Sequence, residues 1–144
     1  MKSSNVPSLE DTIAFVVESH RGQVDKAGIP YVIHLFRVML RAETEEEMII
    51  ALLHDIVEDT DVTEEELLSR GYPRHVVTAV IDLTRRDCEN YSEYILRAGR
   101  NPLARRIKKY DLDDHLDYFY TKKMSAEHAI RYRKAYDVLT NWKD

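Results

Sequence analysis

A ten-residue stretch in the middle of the chain, ALLHDIVEDT at positions 51–60, most constrains what the chain can fold into. Apolar residues before and within it recur at helical spacing, which predicts a helix with one face in the core. His54 and Glu58 are four residues apart, as are Asp55 and Asp59, so each pair is expected to share one side of that helix. Ionisable groups beside a core face are costly unless they are paired or bind a metal. The stretch therefore predicts either a hydrogen-bonded core histidine or part of a metal site.

The composition indicates a globular, mostly helical chain. Of 144 residues, 44% are hydrophobic and 33% charged, with only four glycines and four prolines among many strong helix formers. This length is typical of one domain with a core of its own, so residues 1–144 are expected to form a single domain.

Net charge and hydropathy limit which binding partners and which cellular compartment we expect for this chain. A net charge of −5 argues against nucleic-acid binding and against attachment to an anionic membrane. The longest apolar runs fall short of the roughly 18 residues of a membrane span, and the N-terminus does not have the pattern of a signal peptide. The single cysteine, Cys88, excludes an internal disulfide and a multi-cysteine zinc site. We therefore predict a cytoplasmic protein.

Helix start and stop signals divide the chain into segments. They predict an all-α, single-domain bundle of about seven helices. The glycine-rich segment 22–30 is expected to be a loop, and Asn101-Pro102 is expected to open a long helix. The candidate helix caps are Ser8, Thr44, Thr63, Ser92 and Ser125.

Three of these predicted helices each bring a polar group to an apolar face. The groups are His34, the His54-Asp55 pair and Asp111. Two imidazoles and two carboxylates form a nitrogen and oxygen ligand set that suits manganese, iron or zinc better than calcium. Four protein ligands would leave an octahedral ion two positions for water and substrate, which favours hydrolysis of a phosphate ester or anhydride.

Polar residues near these groups are candidates for supporting roles. Glu58 and Asp59, one turn beyond the His-Asp pair, are placed to orient or deprotonate water. Lys108 and His115 share one side of a predicted helix with Asp111. Lys108 either contacts a substrate phosphate or braces Asp111, and both interpretations stay open at this point.

The order of the motifs along the chain resembles a known family. The pattern His…His-Asp…Asp is that of HD-domain metal-dependent phosphohydrolases. The wider match is to the hydrolase domain of RelA/SpoT homologues, and it runs in order across roughly residues 15–120. The matching segments are SHRGQ at 19–23, KAG at 26–28, PYVIH at 30–34, ALLHDIVEDT at 51–60 and IKKYDLDDHL at 107–116.

This resemblance implies an HD-domain fold and an alarmone hydrolase of the kind that acts in the stringent response. The family's enzymes bind one manganese ion and release pyrophosphate from the 3′ position of guanosine tetra- or pentaphosphate. The length suits the small stand-alone members. The implied metal ligands are His34, His54, Asp55 and Asp111, and the implied water-activating pair is Glu58 and Asp59. The candidate substrate contacts are Lys26, Tyr91, Lys108 and His115.

The chain departs from the family pattern where the family contacts the base. The family usually has Arg-Lys-Ser where this chain has Asp25-Lys26-Ala27, so a cation that stacks on the base has become an anion. Leu35 replaces a proline, and His115 replaces an asparagine. Two alternatives therefore stand beside the alarmone hydrolase: a phosphohydrolase for another phosphorylated nucleotide, and a nucleotide-binding module without catalysis. The expected partner is a small nucleotide, and the oligomeric state is left open.

Overall fold

The computed structural model describes residues 5–122 and 125–144, except for the side chains of residues 118–122. Across these ranges the chain forms a helical bundle, which confirms the predicted all-α fold class. The only β-type pairing in the described residues is an isolated antiparallel bridge between Val24 and Pro30. None of the described helices has the length and apolar character needed to cross a membrane. The helices are α1 (Leu9–Ser19), α2 (Val32–Leu40), α3 (Glu45–Leu53), α4 (Ile56–Asp59), α5 (Glu64–Ser69), α6 (Arg74–Asp82), α7 (Tyr91–Gly99), α8 (Pro102–Lys122) and α9 (Ala126–Thr140).

Side-chain caps begin most of these helices. The Ser8 side chain accepts from the Asp11 amide, and Asp11 accepts from the Ser8 amide in return, which closes a capping box. At α7 the predicted cap is wrong by two residues, because Asn90 caps the helix and forms the box with Glu93, while Ser92 lies inside the first turn. Single side-chain caps are formed by Thr44, Thr63 and Ser125.

The described residues contain nine helices, against about seven expected. Part of the difference is that the helix predicted to run through positions 51–60 is two helices, α3 and α4, separated by His54 and Asp55. The His54 side chain bonds back to the Ala51 carbonyl, and Asp55 takes a bridge-region backbone conformation with φ −106° and ψ 1°. The chain therefore turns at the two residues that carry the chemistry.

The apolar side chains form two clusters that meet at α8. The first surrounds α3, whose Leu52 and Leu53 are fully buried, and includes Ile107 of α8. The second lies between α7, α8 and α9 and includes Leu112. Because α8 contributes to both clusters, the polar residues between Ile107 and Leu112 lie at the junction of the two.

Candidate active site

Four side chains from four places in the fold converge in the interior. His34 comes from α2, His54 ends α3, Asp55 precedes α4, and Asp111 comes from α8. One potential ligand atom of each lies within 4.8 Å of those of the others. His34, His54 and Asp111 are buried, while the Asp55 side chain is 17% exposed. We call these four residues the ligand cluster.

The turn between α3 and α4 lets two consecutive residues point to the same place. His54 Nδ1 donates to the Ala51 carbonyl at 2.6 Å, which leaves Nε2 facing the cluster. Nε2 lies 3.1 Å from Asp55 Oδ2 and 3.2 Å from Asp111 Oδ1. This backbone bond selects the tautomer in which Nε2 can act as a ligand.

His34 is held by a carboxylate behind it. Its Nε2 lies 2.8 Å from Asp111 Oδ1, and its Nδ1 donates to Asp114 Oδ2 at 2.7 Å. Asp114 also accepts from Arg37 Nε at 2.7 Å. Burial acts to raise the pKa of the Asp114 carboxyl, but the hydrogen bonds from His34 and Arg37 lower this pKa to about 2. The sequence reasoning did not single out Asp114; its spacing of three residues from Asp111, on the same side of α8, is the signal that could have found it.

Asp111 is the residue at which most of these contacts meet. Its carboxylate contacts the imidazoles of His34 and His54. It also accepts from Lys108 Nζ at 2.7 Å and lies 3.3 Å from His115 Nε2. Although burial acts to raise it, the charges of Lys108 and His115 hold the pKa of the Asp111 carboxyl well below its usual range. Asp111 is therefore a carboxylate at neutral pH and can serve as a ligand.

Asp55 accepts a hydrogen bond from the hydroxyl of Tyr31, which immediately precedes α2. The Tyr31 hydroxyl donates to Asp55 Oδ2 through a short hydrogen bond. Burial acts to raise the pKa of the Asp55 carboxyl, but the neighbouring His54 lowers it below the usual range. Tyr31 was not predicted as a site residue, although it lies three positions before His34 on the same helical side.

Glu58 and Asp59 lie on the short helix α4 beside the ligand cluster. Glu58 accepts from the backbone amide of Arg85 at 2.9 Å, and the Asp59 carbonyl accepts from Gln23 Nε2 at 2.9 Å. Burial, together with the charges of Asp55 and Glu58, raises the pKa of Asp59 to about 6. A carboxylate with a pKa this close to neutrality suits a general base.

A cavity of about 190 Å³ opens beside these residues. Four of its lining residues are the carboxylates Asp55, Glu58, Asp59 and Asp111. The other lining residues are aromatic or cationic, and two of them belong to α9 and were not selected by the sequence analysis. They are Tyr31, Arg85, Tyr91, Tyr94, Lys108, His115, Arg131 and Tyr132.

The structure brings most of the predicted substrate contacts together at this cavity. Tyr91, Lys108 and His115 line it, and Lys108 does so while bonded to Asp111. Lys26 is exposed in the turn after Asp25 and is not among the lining residues.

No family model matches the chain. Its sequence is 37% identical over 115 residues to a guanosine-3′,5′-bis(diphosphate) 3′-pyrophosphohydrolase of Aquifex aeolicus, covering 72% of this chain and 16% of that relative. It is 46% identical over 77 residues to the enzyme of the same name from Danio rerio, covering 48% of this chain and 43% of that relative. The chain thus spans less than half the length of either curated relative.

A solved structure shares the fold along almost the whole chain. It is described as a metazoan orthologue of SpoT that hydrolyses ppGpp, and it superposes with a TM-score of 0.77 at 24% identity, covering 98% of this chain and 88% of that one. The chain has the HD-domain fold of this solved structure, and its sequence is similar to the two pyrophosphohydrolases above. The four residues of the ligand cluster are the four residues of the His…His-Asp…Asp pattern in the sequence.

The ligand cluster fits a divalent metal ion. It offers two imidazole nitrogens and two carboxylate oxygens, and hydrogen bonds behind His34 and His54 orient both rings. This donor set suits a transition metal and leaves room for further ligands on the cavity side.

Proposed function

We propose that this HD-domain protein is a metal-dependent pyrophosphohydrolase that releases pyrophosphate from the 3′ position of guanosine 3′,5′-bis(diphosphate). The observation that carries the proposal is that Asp55 and Asp111 of the ligand cluster border the same cavity as Glu58 and Asp59. The names of the relatives from Aquifex aeolicus and Danio rerio support the choice of substrate. We further propose manganese as the ion and the cytoplasm as the site of action.

Asp59 and Glu58 have different roles in the proposed hydrolysis. When bound, the ion supplies Lewis acidity that favours ionisation of water and offsets negative charge on phosphate oxygens. The Asp59 carboxylate accepts the proton of the attacking water, and Glu58, held by the Arg85 amide, orients that water. The water oxygen bonds to phosphorus, the bond from phosphorus to the 3′ oxygen breaks, and the 3′ oxygen takes up one proton to leave as a hydroxyl.

Substrate contacts belong to the proposal as well. Tyr91, Lys108 and His115 border the cavity, so they can reach a nucleotide whose 3′ diphosphate is at the ligand cluster. Because Lys108 is bonded to Asp111, we assign it to bracing that ligand and to balancing phosphate charge. Lys26 is exposed outside the cavity lining and stays a predicted contact only.

One observation favours a second candidate, a phosphohydrolase for another phosphorylated nucleotide. The Asp25 carboxylate accepts from the amides of Ala27 and Ile29, so it organises the turn in which the related family contacts the base. An anion in that position does not provide the stacking cation that recognises guanine in the family. The reaction would be unchanged, and only the base preference would differ.

The test is incubation of manganese-loaded protein with guanosine 3′,5′-bis(diphosphate), with products separated by anion exchange. We expect guanosine diphosphate and pyrophosphate. Asp55→Ala should lower turnover by at least about a hundredfold, because charge stabilisation by a metal is worth several kcal/mol.

The matched control is Asp61→Ala, which removes an exposed carboxylate soon after α4. It should retain wild-type turnover. Equal turnover in Asp55→Ala would contradict the proposed mechanism. Cleavage of the adenosine analogue at the same rate would remove the guanosine assignment and support the second candidate.

A further inference from the structure

The short helix α4 carries Glu58 and Asp59 but contains too few residues to be stable by itself. It is four residues long, whereas isolated helices shorter than about 12 residues are marginal in water. Its position therefore depends on bonds from neighbouring segments. Glu58 is held directly, because its carboxylate accepts from the Arg85 amide at 2.9 Å.

Asp59 is held in a different way. It lines the cavity, and none of the residues that the structure describes donates a hydrogen bond to its carboxylate. A donor there would favour the charged form and make the group a weaker base. The Asp59 carbonyl lies at the C-terminal end of α4, where a carbonyl has no partner within the helix, and it accepts from Gln23 Nε2 at 2.9 Å. The proposed general base is thus fixed through its backbone.

Gln23 links Asp59 to a buried histidine. Its amide oxygen accepts from His20 Nδ1 at 2.8 Å, and its backbone carbonyl accepts from the Tyr31 amide at 2.9 Å. The Asp59 carbonyl can only accept, so Gln23 turns its amide nitrogen to Asp59 and its amide oxygen to His20. His20 Nδ1 therefore carries the hydrogen.

His20 forms this hydrogen bond with one ring nitrogen only. The residue is 2% exposed, and its Nε2 has no hydrogen-bond partner in the described part of the chain. Buried polar atoms without a partner are uncommon and costly, so a histidine that served packing alone would be unfavourable here. The Nδ1 bond supplies a reason for the residue, because it holds the Gln23 amide in the orientation that reaches α4.

We propose that Gln23 and His20 are positioning residues for the hydrolysis. Gln23 aims the Asp59 carboxylate at the attacking water by holding the Asp59 backbone, and His20 orients Gln23. Neither residue lines the cavity, so both act through Asp59 and not on the substrate. The assignment rests on the proposed function, in which Asp59 is the general base.

Substitutions at His20 separate the hydrogen bond from the packing of the ring. An asparagine places its amide nitrogen close to the position of Nδ1, whereas a glutamine places it close to that of Nε2. With manganese-loaded protein and guanosine 3′,5′-bis(diphosphate), His20→Asn should retain the wild-type kcat. His20→Gln and Gln23→Met should lower kcat about tenfold or more and leave KM unchanged, because a displaced base weakens the transition state and not binding.

Hydrogen exchange gives a second measurement that needs no turnover. The amides of Asp59 and Thr60 form hydrogen bonds of α4. Their exchange should be about tenfold faster in Gln23→Met and His20→Gln than in the wild type, and unchanged in His20→Asn. The amides of α9 serve as the internal control and should exchange alike in all four proteins.

Three outcomes would overturn the assignment. They are an equal loss of kcat in His20→Asn and His20→Gln, a rise in KM without a change in kcat, and exchange of the α4 amides that is the same in every protein. If the wild type cleaves no nucleotide, the proposed function fails, and the exchange experiment alone decides whether Gln23 and His20 position Asp59.

Discussion

Asp114 links a predicted metal ligand to the outer face of the bundle. It accepts from His34 Nδ1 and from Arg37 Nε. Because Asp111 lies 2.8 Å from His34 Nε2, the His34 ring is held at both nitrogens. Carboxylates behind metal-binding histidines orient the ring and raise its basicity. Asp114 is therefore a positioning residue for His34.

We expect Asp114→Asn to weaken manganese binding about tenfold or more, because the amide keeps the shape of the carboxylate but not its charge. A direct titration of the metal-free protein with manganese measures the change. Asp117→Asn, one turn later on α8 and largely exposed, is the control and should bind as the wild type does. Identical affinities in the two variants would show that Asp114 does not orient His34.

The sequence predicts the four residues that converge in the ligand cluster, but it is less informative about the residues that contact them from behind. His34, His54, Asp55 and Asp111 were predictable because polar residues on apolar helical faces need a reason to be there. Helical spacing places Asp114, but not Asp113, on the same side of α8 as Asp111. The spacing does not show which residue Asp114 meets, and only the packing of α2 against α8 brings it to His34.

The connection between α6 and α7 is an element that the site depends on. Arg97 on α7 donates to the Thr84 carbonyl and makes two bonds to the Glu89 carboxylate, at 2.6 and 2.8 Å. These bonds fix a segment that supplies the Arg85 amide to Glu58 and the Arg85 side chain to the cavity.

The ion pair between Arg97 and Glu89 predicts that the free energy of unfolding depends on pH. The hydrogen bonds from Arg97 lower the pKa of Glu89 to about 2. The folded state therefore binds this proton less readily than the unfolded state, so the stabilisation is present above pH 4.5 and is lost as the pH falls toward 2. Glu89→Gln should reduce the free energy of unfolding by about 1 kcal/mol at pH 7 and by progressively less toward pH 3.

Urea unfolding of the two proteins at several pH values measures this difference. Glu65→Gln removes an exposed glutamate of α5 and should show no such convergence with the wild type. A difference that stays constant from pH 7 to pH 3 would contradict the ionic origin of the effect.

Helix starts were predictable at this scale, whereas the break between α3 and α4 was not. Ser8, Thr44 and Thr63 are followed three residues later by acidic residues, a local pattern that specifies a helix start. The break depends on the His54 side chain bonding back to the backbone, and helical periodicity does not register such a bond.

At the scale of the whole molecule, the two apolar clusters share α8. The first contains side chains of α2, α3 and α4, and the second contains side chains of α7 and α9. Since α8 contributes side chains to both, we expect them to unfold together.

The only tryptophan, Trp142, packs against the second cluster, so its fluorescence reports on that cluster alone. Leu67 is fully buried in the first cluster. Leu67→Ala should cost about 2–5 kcal/mol and should shift the transitions seen by far-UV circular dichroism and by Trp142 fluorescence equally. A shift in the first signal alone would show that the clusters unfold independently.

Composition and periodicity were sufficient to predict the fold class, but not the packing of α9. Its apolar residues indicate a buried side, and the sequence does not specify which neighbours that side meets. Arg131 lines the cavity because α9 packs back on α8, the helix before it, and on α7. Tyr91, Lys108 and His115 were predicted as substrate contacts, whereas Arg131 and Tyr132 of α9 were not.

The turn at Asp25 constrains which substitutions this position accepts. Replacing Asp25 by arginine, the residue common in the related family, would leave the amides of Ala27 and Ile29 without their acceptor. A single Asp25→Arg substitution would thus weaken the turn before it could offer any contact to a base. Any redesign of base recognition at this turn therefore has to supply a new acceptor for the two amides together with the arginine.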